Sequence, residues 1–161
     1  MKILCSEKEK EKSMRILDHL FESSVLFLSS SDKQEILASM VAHASSLGFI
    51  SEETPFKQAI LERETLMSTG IGLQVAIPHA KLPEISEFFI IPAILSQNSN
   101  WDAIDKQPVR LVFMIGGPSD RQTDYLKILS KITLVIKNPA RRKALMAAKD
   151  AKAVLSAFSE L

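Results

Sequence analysis

The spacing of hydrophobic and polar residues predicts several helices along the chain. Apolar residues recur every three or four positions between residues 36 and 47, which is typical of an amphipathic helix with one face in a core. The same spacing returns between residues 125 and 136. Shorter stretches with helical signals cover residues 14–21, 55–63 and 150–158, and Pro139 opens a further helix that contains the basic residues 141–143. We expect each of these segments to be helical.

Other apolar runs lack helical spacing and predict strands. They cover residues 25–28, 75–77, 88–95 and 111–115. Near-continuous hydrophobicity implies burial on both faces, so we expect a sheet that is covered by helices on both sides. Pro92 has no N–H to donate, which favours an edge or a broken strand for its run. The predicted fold is α/β, a single domain with a mixed β-sheet between helical layers.

Short polar residues mark the predicted starts of the helices. Their side chains can accept a hydrogen bond from a free N–H in the first helical turn. The predicted N-caps are Ser31, Thr54, Ser119 and Asp150. Pro139 suits the first turn of another helix, where a missing N–H costs little.

Length and charge indicate one globular domain without a nucleic-acid surface. The chain has 161 residues, of which 46% are hydrophobic, and this suits one domain with a real core. The formal net charge is +1, and basic residues are scattered among acidic ones, so we expect no direct binding to nucleic acid. Residues 7–12 alternate in charge and predict a solvated tail over 1–13, followed by one domain over 14–161.

The composition also predicts a cytoplasmic protein. Cys5 is the single cysteine, which rules out an intramolecular disulfide and agrees with a reducing compartment. We find no signal-peptide core at the N-terminus and no run that approaches about 18 apolar residues. We therefore expect no membrane insertion.

His79 is the candidate for chemistry. The chain has three histidines, and His79 leaves an apolar run directly after Pro78, whose ring fixes the backbone angle before it. His19 lies on the polar side of a short helical segment, and His43 lies at the flank of an apolar stripe. We predict structural or solvent-exposed positions for His19 and His43.

A glycine-containing loop precedes His79. Gly70 and Gly72 allow the backbone to approach a ligand closely, while Ser68 and Thr69 add hydroxyls and N–H groups that suit a phosphate. A dinucleotide-binding fingerprint would need a third glycine where Val75 stands. The loop therefore predicts phosphate binding by Ser68, Thr69, Gly70 and Gly72, and we expect no metal site.

Arg63 ends the apolar stripe of the helix before this loop. A guanidinium that faces inward needs an anion to offset its desolvation. From its spacing alone, the partner of Arg63 is equally well a structural carboxylate or the phosphate site.

The segment from residue 62 to residue 80 resembles the active site of a known family. Three parts occur in the family's order and spacing: Arg63-Glu64, STGIG at 68–72, and AIPHA at 76–80. The resemblance is to the fructose, mannitol and nitrogen-type (type 2) enzyme IIA domains of the phosphoenolpyruvate-dependent sugar phosphotransferase system.

This resemblance implies that His79 accepts a phosphoryl group from the histidine-containing phosphocarrier protein, without a cofactor. It implies that Arg63 lies beside His79, that Nε2 is phosphorylated and that a backbone carbonyl holds Nδ1. A phosphohistidine that two partners must reach favours a shallow site with an apolar rim, for which Ile71, Leu73 and Phe88 are candidates.

Three functional classes are open. A single domain without a fused carrier or IIB region favours a regulatory phosphocarrier of the nitrogen type, whose phosphorylation state is read by target proteins. A sugar-specific IIA component that passes phosphate to a IIB protein would use the same chemistry at His79. The third class is a binding-only module that has lost phosphotransfer.

Tyr125 marks a departure from the family. Many members have a second histidine near the phosphorylated one, in a Glu-His-Leu context, whereas this chain has Asp124-Tyr125-Leu126 there. Tyr125 also begins the apolar stripe of its helix. Its two interpretations, a packing aromatic residue or a second residue that faces the phosphate, are equally open.

Overall fold

The computed structural model describes residues 15–159, which form one mixed sheet between two helical layers. The predicted tail over 1–13 lies outside the described residues. Within the described part, the six strands are β1 (Leu26–Leu28), β2 (Gly70–Gly72), β3 (Val75–Ala76), β4 (His79–Lys81), β5 (Phe89–Ser99) and β6 (Val109–Gly117). The five α-helices there are α1 (Lys33–Ser46), α2 (Glu53–Leu66), α3 (Gln122–Lys137), α4 (Pro139–Ala147) and α5 (Ala151–Ser156). Over residues 15–159, no helix combines the length and hydrophobicity needed to span a bilayer.

The strand order is β1-β5-β6-β3-β2, and β4 also pairs with β6. β5 and β6 are antiparallel, whereas β1 on β5, and β3 and β4 on β6, are parallel. The sheet is therefore mixed, with β6 at its centre.

Each face of the sheet has its own hydrophobic core. Ile90 and Ile115 point into the core under α3, α4 and α5, whereas the neighbouring residues Phe89 and Met114 point into the core under α1 and α2. This alternation follows from the two-residue period of strands. The predicted fold class is thereby confirmed.

Two helix starts and one N-cap match the sequence predictions. The Asp150 carboxylate accepts a hydrogen bond from the Ala153 N–H at 2.8 Å and caps α5. Pro139 is the first residue of α4, and the side chain of Asn138 caps that helix. In both cases, the residue that predicted the helix lies within one turn of the first helical residue.

Three predicted N-caps are wrong. Asp32, and not Ser31, caps α1, because its carboxylate accepts from the Glu35 N–H at 3.0 Å. α2 already begins at Glu53, one residue before Thr54. α3 begins at Gln122, which leaves Ser119 in the preceding turn.

The predicted helix over 14–21 is also wrong. Its described part contains a single 3-10 turn, Ile16–Asp18. Beyond that turn, the backbone of His19 accepts a hydrogen bond from the Ile90 N–H at 3.1 Å. Pairing with the start of β5 therefore replaces further helical hydrogen bonds.

Pro92 does not mark an edge strand. β5 has β1 on one side and β6 on the other, and Pro92 lies opposite Phe113 of β6. The edge prediction fails because β1 is short: its alignment with β5 begins at Ala93, one residue after the proline. An interior strand can hold proline where the neighbour on one side has not yet begun.

The path of the chain before His79 is set by a tight hairpin. β2 and β3 are joined through Leu73 and Gln74, which have φ values of 58° and 64°. The chain then stays against β6, since the carbonyl of Pro78 accepts from the Ile115 N–H at 3.0 Å. β4 therefore begins at His79, opposite Ile115.

Candidate functional site

His79 lies in a shallow cavity of about 330 Å³ between α2 and β4. The lining residues are Ala59, Glu62, Arg63 and Leu66 of α2, together with His79, Ala80 and Lys81 of β4. The imidazole is half-buried, so one side of the ring remains accessible to a partner molecule. The structure thus brings the predicted nucleophile and the predicted arginine into one site.

The backbone fixes the protonation pattern of the His79 ring. Nδ1 lies 2.9 Å from the carbonyl oxygen of Ile77. A carbonyl can only accept a hydrogen bond, so Nδ1 carries the proton and the neutral ring has its lone pair at Nε2. This is the tautomer that the family resemblance implied.

The surroundings of His79 keep its imidazole neutral. Burial lowers the pKa of His79 below its ordinary value of 6.5, and the positive charges of Arg63 and Lys81 lower this pKa further. The hydrogen bond with Ile77 and the Glu64 carboxylate act in the opposite direction. The net shift is downward, so most molecules have an unprotonated Nε2 at neutral pH.

Arg63 is held at the C-terminal end of α2. Its Nη1 donates a hydrogen bond to the carbonyl oxygen of Met67 at 2.7 Å. Within residues 15–159, no carboxylate lies within ion-pair distance of this guanidinium. Among these residues, Arg63 therefore has no structural carboxylate as its partner. Its charge is available to an anion in the cavity.

Glu64, the next residue, belongs to a buried network that the sequence analysis missed. Its side chain is 6% exposed and its carboxylate lies 2.8 Å from Nζ of Lys33. The backbone N–H of Thr69 donates to the same carboxylate at 3.3 Å, and the Thr69 hydroxyl donates to its other oxygen. Trp101 completes the network through a hydrogen bond from Nε1 to the Thr69 hydroxyl at 3.2 Å. These contacts fix the end of α2 that carries Arg63.

The predicted phosphate loop is occupied by contacts within the protein. The Ser68 hydroxyl donates to the carbonyl oxygen of Trp101 and accepts from the Gly70 N–H at 3.1 Å. The Thr69 hydroxyl proton is likewise used. Both hydroxyl protons are therefore given to other groups of the protein. Phosphate binding by Ser68 and Thr69 stays a prediction.

The two glycines of this loop have packing reasons of their own. A Cβ on Gly70 would lie 2.8 Å from the Cβ of Ala103, closer than side chains tolerate. Gly72 has a φ of 95°, a backbone conformation that L-residues with side chains rarely adopt. Phosphate binding by Gly70 and Gly72 stays a prediction.

Tyr125 faces the site and also packs in the core. Its ring centroid lies 5.4 Å from that of His79, with 39° between the ring planes. The residue is 6% exposed and belongs to the core under α3, and burial raises the pKa of its phenol. The packing interpretation of Tyr125 is therefore confirmed, and a role of Tyr125 toward the phosphate stays a prediction.

Lys81 is the second site residue that the sequence analysis missed. Its Nζ lies 4.6 Å from the centroid of the Tyr125 ring, and its ammonium donates to the side-chain oxygen of Gln122. Lys81 is two residues after His79 in β4, so both side chains point to the same face of the strand. That two-residue spacing was the available sequence signal.

The other two histidines have structural contacts, as predicted. A ring nitrogen of His19 lies 3.1 Å from the carbonyl oxygen of Phe88, and one of His43 lies 2.7 Å from that of Ser23. Among the described residues, no group of three or more His, Cys, Asp or Glu side chains is arranged to hold a metal ion.

Two of the three candidate rim residues are at the surface. Ile71 and Leu73 are 42% and 45% exposed. Phe88 is 3% exposed and packs against Gly117, so its assignment to the rim is wrong. Its position after a loop and before β5 gave no sign of this, because the contact with Gly117 depends on the pairing of distant segments.

Fold and site together define a class: an α/β domain with one half-buried histidine, a fixed tautomer and two nearby cationic side chains. The sequence profile of the phosphoenolpyruvate-dependent sugar phosphotransferase system, EIIA 2, matches residues 18–161. The chain belongs to this type 2 enzyme IIA family.

The similar proteins include regulatory and sugar-specific members. A nitrogen regulatory protein of Bradyrhizobium diazoefficiens is 33% identical over 91% of this chain and 95% of its own length. The fructose-specific EIIABC component of Bacillus subtilis is 31% identical over 91% of this chain, which spans 23% of that longer protein. The crystal structure of IIA-Ntr from Neisseria meningitidis has a TM-score of 0.82 with 24% identity, over 88% of this chain and 97% of that one. The family is thus established, and the similar proteins include both of its functional branches, the regulatory and the sugar-specific one.

Proposed function

We propose that this chain is a regulatory phosphoryl carrier of the nitrogen type, which accepts a phosphoryl group at Nε2 of His79 from the histidine-containing phosphocarrier protein. The observation that carries the proposal is the hydrogen bond between Nδ1 of His79 and the Ile77 carbonyl, since it leaves the lone pair at Nε2. The proposal places the chain in the cytoplasm, together with that donor.

The transfer step balances without a cofactor. The Nε2 lone pair of His79 attacks the phosphorus of the donor's protonated phosphohistidine. As the new P–N bond forms, the donor's P–N bond breaks, and its electron pair returns to the donor imidazole, which leaves as a neutral ring. The His79 ring keeps its proton on Nδ1, which continues to donate to the Ile77 carbonyl, and the ring carries the positive charge of the phosphoimidazolium. Passing the phosphoryl group to the next acceptor reverses these changes.

Arg63 stabilises the charge that is transferred. Phosphoryl transfer depends on in-line placement and on neutralising the equatorial oxygens more than on acid and base groups. The Arg63 guanidinium lines the same cavity as His79 and has no carboxylate partner among the described residues. Its planar group can give two parallel hydrogen bonds to phosphoryl oxygens.

The regulatory branch is supported by the nitrogen regulatory relative, which is 33% identical over 91% of this chain. The second candidate function is a sugar-specific IIA component that passes phosphate to a IIB protein. The 31% identity with the fructose-specific protein favours that candidate.

The test is phosphorylation with purified components. The chain is incubated with phosphoenolpyruvate, enzyme I and the histidine-containing phosphocarrier, and the product is mapped by mass spectrometry under alkaline conditions. We expect label at His79, no label in His79→Ala and normal labelling in the matched control His43→Ala. Label at another residue would contradict the proposal, and a wild-type chain that accepts no phosphate would favour the binding-only alternative. Co-purification in the two phosphorylation states then separates regulatory targets from a IIB protein.

A further inference from the structure

The charge around His79 differs from that of a site with two histidines. Tyr125 occupies the position at which the family resemblance implies a second histidine in many members. Its phenol stays neutral near pH 7. A second positive charge would therefore have to come from another residue. The structure contains such a residue at the same edge of the cavity, Lys81.

The position of Lys81 is defined by contacts on three sides. β4 directs its side chain to the same face as His79. The Tyr125 ring contacts both residues, with its centroid 4.6 Å from Nζ of Lys81 and 5.4 Å from the centroid of His79. The Gln122 side chain accepts a hydrogen bond from the ammonium. These neighbours hold the charge at the site without neutralising it, because neither a neutral phenol nor an amide is an anion.

We propose that Lys81 supplies the second positive charge to the phosphoryl group on His79, and that Tyr125 and Gln122 hold its ammonium in reach of that group. The proposal rests on the function proposed above. In the phosphorylated state, the ammonium donates a hydrogen bond to a phosphoryl oxygen while Arg63 neutralises the others. Lys81 is thus a phosphoryl-binding residue, and Tyr125 is a positioning residue that acts through it.

The replacement has a chemical consequence. A site without a second imidazole lacks the gain and loss of charge near pH 6.5 that such a ring would bring. The titratable or charged groups that face Lys81 are His79 on β4, Glu62 and Arg63 on α2, and Tyr125 on α3.

The test separates charge from shape and from partner docking. Phosphoramidate serves as a small phosphoryl donor, so that no protein interface contributes to the rate. Lys81→Met keeps most of the alkyl chain and removes the charge, whereas Lys81→Arg keeps the charge. Lys149→Met removes a lysine that is exposed and lies outside this cavity. Thermal unfolding of each variant reports whether the fold is retained.

We expect Lys81→Met to be phosphorylated at least about tenfold more slowly than the wild type, the scale of one charge-assisted hydrogen bond. Lys81→Arg should restore most of the rate, and Lys149→Met should match the wild type. A ³¹P NMR titration gives a second readout. A nearby cation favours the more negative form of the phosphoryl group, so Lys81→Met should raise the phosphoryl pKa.

Two results would overturn the proposal for Lys81. One is a Lys81→Met variant that is phosphorylated on His79 at the wild-type rate and with the wild-type ³¹P titration. The other is an equal loss of rate in Lys81→Met and Lys81→Arg with no change of the phosphoryl pKa, which would show that shape matters and charge does not. Both results leave the function of His79 intact. A wild-type chain that takes no label from either phosphoramidate or the protein donor would instead refute both proposals.

Discussion

Arg63→Ala should slow phosphorylation of His79 strongly and change stability little. The variant removes a cation beside the nucleophile, and losing one preorganised charge stabiliser costs about 2–4 kcal/mol of barrier, or a slowing of about 30- to 1,000-fold. In the folded protein, Arg63 donates to the Met67 carbonyl at 2.7 Å, an exposed hydrogen bond worth about 1 kcal/mol. The effect on rate should therefore exceed the effect on the free energy of unfolding.

The assay measures single-turnover phosphorylation by the histidine-containing phosphocarrier, together with urea denaturation of the same samples. Arg110→Ala is a matched control, because Nε of Arg110 also donates to a backbone carbonyl, that of Leu95, at 2.7 Å. Arg110 lines a different cavity from His79. We expect a similar loss of stability in both variants and a loss of rate only in Arg63→Ala. Arg63→Lys should recover part of the rate, since an ammonium lacks the planar group that pairs with two oxygens.

The reasoning would be refuted by an Arg63→Ala variant that is destabilised by several kcal/mol and yet, while folded, is phosphorylated at the wild-type rate. Such a result would assign Arg63 a purely structural role at the end of α2. An NMR titration of His79 gives an independent check. Because the charge of Arg63 lowers the pKa of His79, the Ala variant should titrate at a higher pH than the wild type.

Three further predictions follow from the same contacts. Tyr125→Phe should change the rate of phosphorylation by less than about tenfold, or about 1.4 kcal/mol, whereas Tyr125→His should add a titration to the pH profile of transfer. A thousandfold loss of rate in Tyr125→Phe at unchanged stability would show instead that the hydroxyl is catalytic. Because the pKa of His79 is lower in the folded than in the unfolded chain, the unfolded chain binds its proton first, and stability should fall as pH drops below about 6.5. This decline should be smaller in His79→Gln, and equal declines by urea denaturation would contradict it. Glu64→Leu leaves Lys33 without its carboxylate partner and should lower the free energy of unfolding by about 3 kcal/mol. Unfolding can be followed by the fluorescence of the single tryptophan, Trp101, and a loss below about 1 kcal/mol would contradict burial of the pair.

Features with short-range signals were predictable from the sequence. The apolar stripe of α3, which includes Ile128, Ile132 and Val135, is buried as its spacing indicates. Asp150 caps its helix because the N–H that it accepts from lies three residues away. The prediction of His79 as the nucleophile rests on the same kind of signal, since Pro78 and the preceding residues form a recognisable local motif. In each case the deciding contacts lie within a few positions along the chain.

Features decided by competing or distant partners were not predictable. Ser31 and Asp32 are both good capping residues, and the choice between them depends on where the chain enters α1. Pro92 is tolerated because the alignment of β1 with β5 begins only at Ala93, which the sequence around the proline does not reveal. The contacts of Thr69 were not predictable for the same reason, because one of its partners, Trp101, lies 32 residues further on.

The charges around His79 illustrate that the absence of a motif residue does not by itself mean that the function of that residue is absent. From sequence, replacing the second histidine by Tyr125 indicated a phosphohistidine with less positive charge around it. In the folded chain, β4 continues along β6 as far as Gly117, and α3 begins a few residues later, so the Tyr125 ring contacts Lys81 as well as His79. The aromatic ring then provides a face on which an ammonium is stabilised. The positive charge near His79 therefore need not come from the residue that occupies the histidine position, and what the substitution removes is the titration of that charge near neutral pH.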